Sequence, residues 1–388
     1  MKSPTLISSA AYADTKPHYA LLDGLRGVAA LLVVFYHVYE GFSFGPQGGI
    51  VKTVNHGYLA VDFFFMLSGF VLGYAYDDRW GRTLTFRNFV RRRLIRLHPM
   101  IVMGALIGAL SFCLQGCVRW NGAEVSLLWV MVALFCTMFF IPAYPGAPFE
   151  VRGSAEMFPL NGPTWTLFFE YIGNLLYALL FRRLSFRWLA LFSLACGLVL
   201  SWFAIGDPMG YGMLGVGWSL KGLNFYAGLF RMLYPFSLGL LLSRVFVPCK
   251  VRGAFWICSL TLVVLFCVPY LGGLWNGLYE MFCITVVFPL LVWLGASGRT
   301  TDRLSESVCR WLGDISFPVY AVHYPLMYLF FAWLIKTGQF TLAETWPVVI
   351  AVILGSLLLA WLSLKFYDIP LRRWLSRRFQ PKTEAGGH

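Results

Sequence analysis

The chain has 388 residues, of which 59% are hydrophobic and only 13% are charged, roughly half the charged fraction of an average soluble domain. Together with repeated apolar runs of about twenty residues, this composition excludes a soluble globular protein. It predicts an all-α polytopic membrane protein, because only helices and closed barrels satisfy their backbone groups in lipid and the sequence has no alternating strands of a barrel. The net charge of +13 does not require a nucleic-acid partner, since the cations flank hydrophobic segments as the positive-inside rule expects.

The nine cysteines lie mostly within apolar segments and form no CxxC pair. We expect them to be buried as small hydrophobic side chains, with neither a disulfide framework nor a metal site. Residues 1–19 contain no apolar core followed by a small-residue cleavage site, so the first hydrophobic segment is predicted to be a retained anchor. The predicted organisation is a cytoplasmic segment at 1–18, a transmembrane domain at 19–375 and a cytoplasmic tail at 376–388.

Eleven apolar segments follow one another along the chain, and the cations between them indicate how many cross the membrane. The segments are 21–40, 57–76, 97–116, 124–142, 164–181, 186–205, 225–247, 253–272, 277–296, 315–336 and 343–366. Most of the 31 lysines and arginines can lie in the cytoplasm only if the region 97–142 contributes one net crossing. We therefore predict about ten transmembrane helices with both termini cytoplasmic, and one of the two segments within 97–142 re-entrant. The long loops 41–56, 143–163 and 206–224 then lie outside.

The first segment contains charged and titratable residues that a lipid-facing helix would not tolerate. It reads LLDGLRGVAALLVVFYHVY and includes Asp23, Arg26 and His37, which we expect to face a protein interior or a water-filled cavity. Arg26 and His37 are eleven residues apart, about three helical turns, so they share a face and lie roughly 16 Å apart along the axis. This spacing suits a long anionic ligand held at one end and reacted at the other. A snorkelling arginine and a packed histidine would account for the same residues.

Two motifs follow on the next segments. FFFMLSGF contains Ser68 and Gly69, which are more typical of a packing notch between helices than of a nucleophile, and no G-x-S-x-G elbow is present there. RRRLIRLHP places Arg93 and Arg96 one turn apart on an amphipathic cytoplasmic stretch that is predicted to end at Pro99. Paired guanidinium groups bind phosphate oxygens through forked hydrogen bonds. Anionic lipid headgroups are the alternative ligand.

Polar residues recur in later apolar segments. WTLFFE carries Glu170 and Trp165. An intramembrane carboxylate requires a partner, and Arg231 is available as one, with a purely structural ion pair as the alternative to a functional role. ISFPVYAVHYP sets Tyr320 and His323 at i, i+3 spacing, where both could form hydrogen bonds to a sugar or to a neighbouring helix.

Five of these motifs together resemble those of a known family, although each is weak alone. The chain resembles the acyltransferase-3 family of integral-membrane O-acyltransferases from about residue 19 to 375, and the motifs in order are LDGLRGVAALLVVFYH, FFFMLSGF, RRRLIRLHP, WTLFFE and ISFPVYAVHYP. The resemblance implies ten transmembrane helices with both termini cytoplasmic. It also implies acetyl-CoA or another acyl-CoA as co-substrate, no metal, and an extracytoplasmic carbohydrate hydroxyl as acceptor. Acyl-CoA, the glycan and membrane lipids are then the expected partners, with no nucleic acid, in a bacterial inner membrane.

The resemblance also assigns roles to particular residues. It implies that His37 is essential for transfer, that Arg26 belongs to the same signature, and that Arg93 and Arg96 bind the donor. The remaining candidates are Asp23 to orient Arg26, Glu170 to tune the outer chamber, Ser68 at the donor, and Trp165, Tyr320 and His323 at the acceptor. Some relatives carry a fused extracytoplasmic hydrolase-like domain, and here the membrane domain is expected to complete the transfer alone.

The predicted mechanism is direct transfer, in which neutral His37 takes the proton of the acceptor hydroxyl as it attacks the thioester. An acyl-histidine intermediate is a less favoured variant. The alternative from another class is a transporter or flippase for a glycan or lipid precursor, with intramembrane His, Glu and Arg as a proton relay. A purely structural or lipid-binding protein would leave the five ordered motifs unexplained.

Overall fold

The computed structural model describes residues 19–46, 49, 54–249, 251–298 and 302–379, and this part of the chain forms helices and no strand. The predicted segment 1–18 and the end of the tail, 380–388, lie outside the described residues. The eleven helices are α1 Ala20–Phe42, α2 Ala60–Tyr76, α3 Phe86–Leu114, α4 Leu127–Met138, α5 Thr164–Leu179, α6 Phe186–Gly206, α7 Asn224–Val245, α8 Ala254–Cys267, α9 Gly273–Ser297, α10 Arg303–Thr337 and α11 Leu342–Phe379. Each predicted apolar segment overlaps one of them, so the prediction of an all-α polytopic membrane protein is confirmed.

Eight of these helices are long and apolar enough to cross a membrane, whereas α4 has only 12 residues. A helix of that length measures about 18 Å, well short of a hydrocarbon core of roughly 30 Å. It runs back alongside α3, so that the Phe140 ring beyond its end lies 6.1 Å from the His98 ring of α3. The following loop returns to the side where α3 ended, because the Arg152 carbonyl there accepts a hydrogen bond from the Trp120 amide at 3.1 Å. The re-entrant segment is therefore 124–142, and 97–142 makes one net crossing.

Helix α8 is also short, with 14 residues, but its two ends lie at opposite ends of α1. Phe255 at its beginning packs against Gly24 in the first turns of α1. Val268, just beyond its end, accepts a hydrogen bond at 2.7 Å from His56, which follows α1 in the chain. Helix α8 therefore reaches from one end of α1 to the other, in addition to the eight helices that are long enough to cross. The remaining helix of the predicted ten is α5, with 16 residues.

Small residues bring pairs of helices into backbone contact. A Cβ atom on Gly27 of α1 would lie 2.4 Å from the Leu312 carbonyl oxygen of α10, and one on Gly69 of α2 would lie 2.0 Å from the Phe236 carbonyl oxygen of α7. Only glycine permits such approaches, so the packing notch predicted at Ser68 and Gly69 is confirmed at Gly69. The contact of α1 with α10 places the histidines of these two helices side by side.

A fully buried ion pair links α2 and α7. Arg231, 1% exposed, donates from Nη2 to Asp62 Oδ2 at 2.6 Å and from Nε to Asp62 Oδ1 at 3.2 Å. Its remaining donors reach the carbonyl oxygens of Val216 and Tyr58. The predicted pairing of Arg231 with Glu170 is therefore wrong. The packing of α7 on α2 sets Arg231 opposite Asp62, a relation between helices that neither local sequence reveals.

The prediction that the arginine-rich stretch ends at Pro99 is also wrong, because α3 continues through Pro99 to Leu114. Proline removes one backbone hydrogen bond and commonly kinks a helix. In membrane helices, packing against neighbouring elements makes that loss tolerable. Pro99, Met100 and Ile101 are all buried, and the arginines before Pro99 therefore belong to a membrane-spanning helix.

Candidate active site

His37 lies on α1 with its Nδ1 atom 2.6 Å from Oε2 of Glu40. A carboxylate can only accept a hydrogen bond, so Nδ1 carries a proton, and in the neutral ring Nε2 then holds the lone pair. The Tyr324 hydroxyl donates to the same Glu40 oxygen at 3.3 Å, and its ring lies 4.6 Å from the His37 ring. Glu40 is not among the residues predicted above, although its i, i+3 spacing from His37 is a signal that could have identified it.

His323 is brought against His37 by the contact of α10 with α1. Their ring centroids are 5.3 Å apart, and His323 is 0% exposed. Its Nδ1 lies 2.9 Å and 3.0 Å from the carbonyl oxygens of Val319 and Tyr320. Its Nε2 is buried and has no hydrogen-bond partner among the described residues.

Tyr320 and Trp165 make contacts with neighbouring helices. The Tyr320 hydroxyl is 2.7 Å from Oγ1 of Thr166 on α5. Of the two partners predicted for Tyr320, a sugar or a neighbouring helix, the structure shows the neighbouring helix. Trp165 packs with its ring 5.6 Å from the Arg231 guanidinium. Both side chains are buried, and the contacts seen here hold α5, α7 and α10 together.

An ion pair between Arg93 and Glu170, with Ser68 beside it, joins α2, α3 and α5. Arg93 Nη2 is 2.9 Å from Glu170 Oε1, and the Ser68 hydroxyl donates to the same oxygen at 2.7 Å. Arg93 is 7% exposed, which corrects the expectation of an accessible cytoplasmic pair, and its Nε is buried without a hydrogen-bond partner among the described residues. Glu170 thus has a partner, as predicted, but that partner is Arg93.

Arg26 and Arg96 complete a cluster of three guanidinium groups. Arg26 lies within electrostatic range of Arg93, Arg96 and Glu170, and its contact with Asp23 is long, at 3.4 Å between Nη1 and Oδ1. No hydrogen bond or ion pair holds Arg96 in the described ranges. We call Arg26, Arg93 and Arg96 the arginine cluster. Asp368 also lies within electrostatic range of Arg96 and is paired with Arg372. Four cations then face three carboxylates, which leaves an excess of positive charge that can receive an anion.

A row of side chains connects the arginine cluster with His37. Glu170 and Thr166 are one turn apart on α5, Thr166 contacts Tyr320, and the Tyr320 ring lies 6.0 Å from the His323 ring. The site therefore has a cationic end, a polar path and a basic imidazole. Among the described residues no group of three or more His, Cys, Asp or Glu side chains could hold a metal ion.

Comparison with known proteins identifies the family. The pattern of a family described as an acyltransferase domain, acyltransferase-3, matches residues 19–365. The chain belongs to the acyltransferase-3 family. The protein is therefore an integral-membrane O-acyltransferase that uses an acyl donor, and the predicted enzyme class is confirmed.

Three relatives align with nearly the whole chain. Acyltransferase MdmB of Streptomyces mycarofaciens is 27% identical, over 88% of this chain and 86% of its own length. YrhL of Bacillus subtilis, named as a candidate peptidoglycan O-acetyltransferase, is 24% identical over 95% of this chain and 57% of its own. Peptidoglycan O-acetyltransferase OatA of Listeria monocytogenes is 23% identical over 91% and 55%. The chain thus spans little more than half the length of the last two, and no solved structure matches.

Proposed function

We propose that this acyltransferase moves an acetyl or other short acyl group from cytoplasmic acyl-CoA to a hydroxyl of an extracytoplasmic glycan in a bacterial inner membrane. The observation that carries the proposal is the His37 and Glu40 pair, which lies on the same helix as Arg26 of the arginine cluster and about three turns from it. The names of OatA and YrhL, which refer to peptidoglycan O-acetylation, support a carbohydrate acceptor.

The arginine cluster is the proposed site for the phosphates of CoA. Arg96 forms no hydrogen bond or ion pair among the described residues, because the nearby Asp368 is paired with Arg372. Arg93 retains an unpartnered Nε donor. Asp23 and Glu170 hold two of the three guanidinium groups in place, and Ser68 fixes Glu170. From this end an extended pantetheine arm can follow α1 past Thr166 and Tyr320, which puts the thioester near His37.

His37 then acts as general base. Its Nε2 takes the proton of the acceptor hydroxyl while the hydroxyl oxygen attacks the thioester carbon. As the carbon–sulfur bond breaks, the imidazolium returns the proton to the leaving thiolate, so that the products are an O-acyl ester and free CoA. Glu40, 2.6 Å from Nδ1, orients the ring and stabilises the imidazolium, as the carboxylate does in a catalytic triad.

The test is labelled acetyl transfer by membranes that contain the wild type, His37→Ala or His37→Gln. We expect the wild type to label envelope glycan and both variants to be inactive, because Gln keeps a hydrogen-bonding shape but cannot carry a proton near neutrality. Acetyl-CoA binding and the amount of inserted protein should stay at wild-type levels in both. Substantial turnover by His37→Gln would exclude His37 as the base, and unchanged glycan acetylation in cells without the protein would exclude the proposed acceptor.

A further inference from the structure

His323 presents an unfilled hydrogen-bond acceptor inside the site. Its Nδ1 faces two backbone carbonyl oxygens, at 2.9 Å and 3.0 Å. Carbonyl oxygens only accept, so Nδ1 must carry the ring proton and Nε2 must be a bare lone pair. Leaving such a buried acceptor unpaired costs free energy, and nothing in the described part of the chain donates to it.

The position of this lone pair relative to His37 limits which hydrogen-bond donor can reach it. The two rings are 5.3 Å apart, and in each of them Nδ1 is committed to a partner within its own helix. Two bare Nε2 atoms therefore lie in one small region of the site. A reacting hydroxyl has a single proton and can satisfy only one of them.

We propose that His323 Nε2 accepts a hydrogen bond from a second O–H or N–H group of the bound substrate and thereby positions that substrate against His37. The proposal rests on the function proposed above for His37. The donor is either another hydroxyl of the glycan, since sugars carry neighbouring hydroxyls, or an amide of the pantetheine arm. His323 is in this view a positioning residue that holds no proton of the reaction.

Two substitutions separate this role from packing and from proton transfer. His323→Leu removes the acceptor atom, and His323→Gln retains an acceptor oxygen. We expect His323→Leu to lower kcat/KM at least about tenfold, with the apparent Tm unchanged or higher because an unpaired buried acceptor has been removed. We expect His323→Gln to recover a substantial part of the activity, in contrast to the inactive His37→Gln.

His56 offers a matched control for the stability measurement. Each of its ring nitrogens has a neighbour within hydrogen-bond distance, the Val268 carbonyl oxygen at 2.7 Å from Nδ1 and the Asn276 side-chain amide at 3.0 Å from Nε2, and it is as deeply buried as His323. His56→Leu should therefore lower the apparent Tm, whereas His323→Leu should not.

Binding of acetyl-CoA to the purified protein distinguishes the two sources of the donor group. Unchanged acetyl-CoA affinity in His323→Leu, with transfer lost, assigns the hydrogen bond to the glycan hydroxyl. Weakened affinity assigns it to the pantetheine amide. The proposal is overturned if His323→Leu transfers acetyl groups as well as the wild type, if it loses stability as His56→Leu does, or if His323→Gln is as inactive as His37→Gln. A wild type that transfers nothing from acetyl-CoA would instead refute the proposed function.

Discussion

Glu40→Gln tests whether the carboxylate beside His37 contributes to catalysis. The substitution preserves the shape of the side chain and its hydrogen bond at Nδ1 but removes the negative charge that stabilises the imidazolium. A hydrogen bond to a charged group contributes about 1.5–3 kcal/mol, and partial exposure of both side chains places the effect toward the lower end. We therefore expect kcat to fall about tenfold to thirtyfold, while the KM for acetyl-CoA stays near the wild-type value.

The assay is initial-rate transfer from labelled acetyl-CoA in membrane vesicles, normalised to folded protein. Glu306→Gln is the matched control, because Glu306 forms an exposed ion pair with Arg310 on α10 and such pairs contribute little. That control should retain full activity. A kcat of Glu40→Gln within twofold of the wild type would refute the assignment of Glu40 as the orienting carboxylate.

Three further predictions concern the charged groups of the site and its outer loop. Arg96→Ala should weaken acetyl-CoA binding by about tenfold in titration calorimetry and reduce the salt dependence of that binding, because phosphate pairing is screened by salt. If the variant binds acetyl-CoA as tightly as the wild type at low salt, Arg96 contacts lipid headgroups and not the donor. Arg93→Ala should destabilise the protein by about 2 kcal/mol, because it leaves the partly buried Glu170 without its cation. Arg93→Ala with Glu170→Ala should recover part of that loss in chemical denaturation, and a purely additive double variant would contradict the pairing. Burial raises the pKa of Glu156, in the loop before α5, to about 7, which is above the value in the unfolded chain. The contribution of Glu156 to stability is therefore present at low pH and lost as the pH rises through 7. The apparent Tm should fall by on the order of 2 °C between pH 6 and 8, and Glu156→Gln should remove that part of the slope.

How far the sequence predicts this protein depends on whether a feature is local. The eleven apolar segments are visible because the length and composition of a membrane helix are set by the bilayer, segment by segment. The shared face of Arg26 and His37 follows from the helical period alone. The same period also places Glu40, three residues after His37, within reach of the imidazole.

The pairings across helices were decided by the tertiary structure. Arg231 could be matched with either Glu170 or Asp62 on the basis of charge, and the packing of α7 on α2 through glycine selected Asp62. Glu170 pairs instead with Arg93. The helix that carries Arg93 continues through Pro99, so this arginine belongs to a membrane-spanning helix.

Cation counts predict that 97–142 makes one net crossing, but only the path of α4 back along α3 shows which segment is re-entrant. The placement of His323 beside His37 likewise required the backbone contact at Gly27. Composition and periodicity determine which stretches become helices and which faces are polar, because these depend on neighbours in the chain. The ion-pair partners of Arg93 and Arg231, and the placement of His323 beside His37, depend on residues far away in the sequence. Only the tertiary fold brings those residues together.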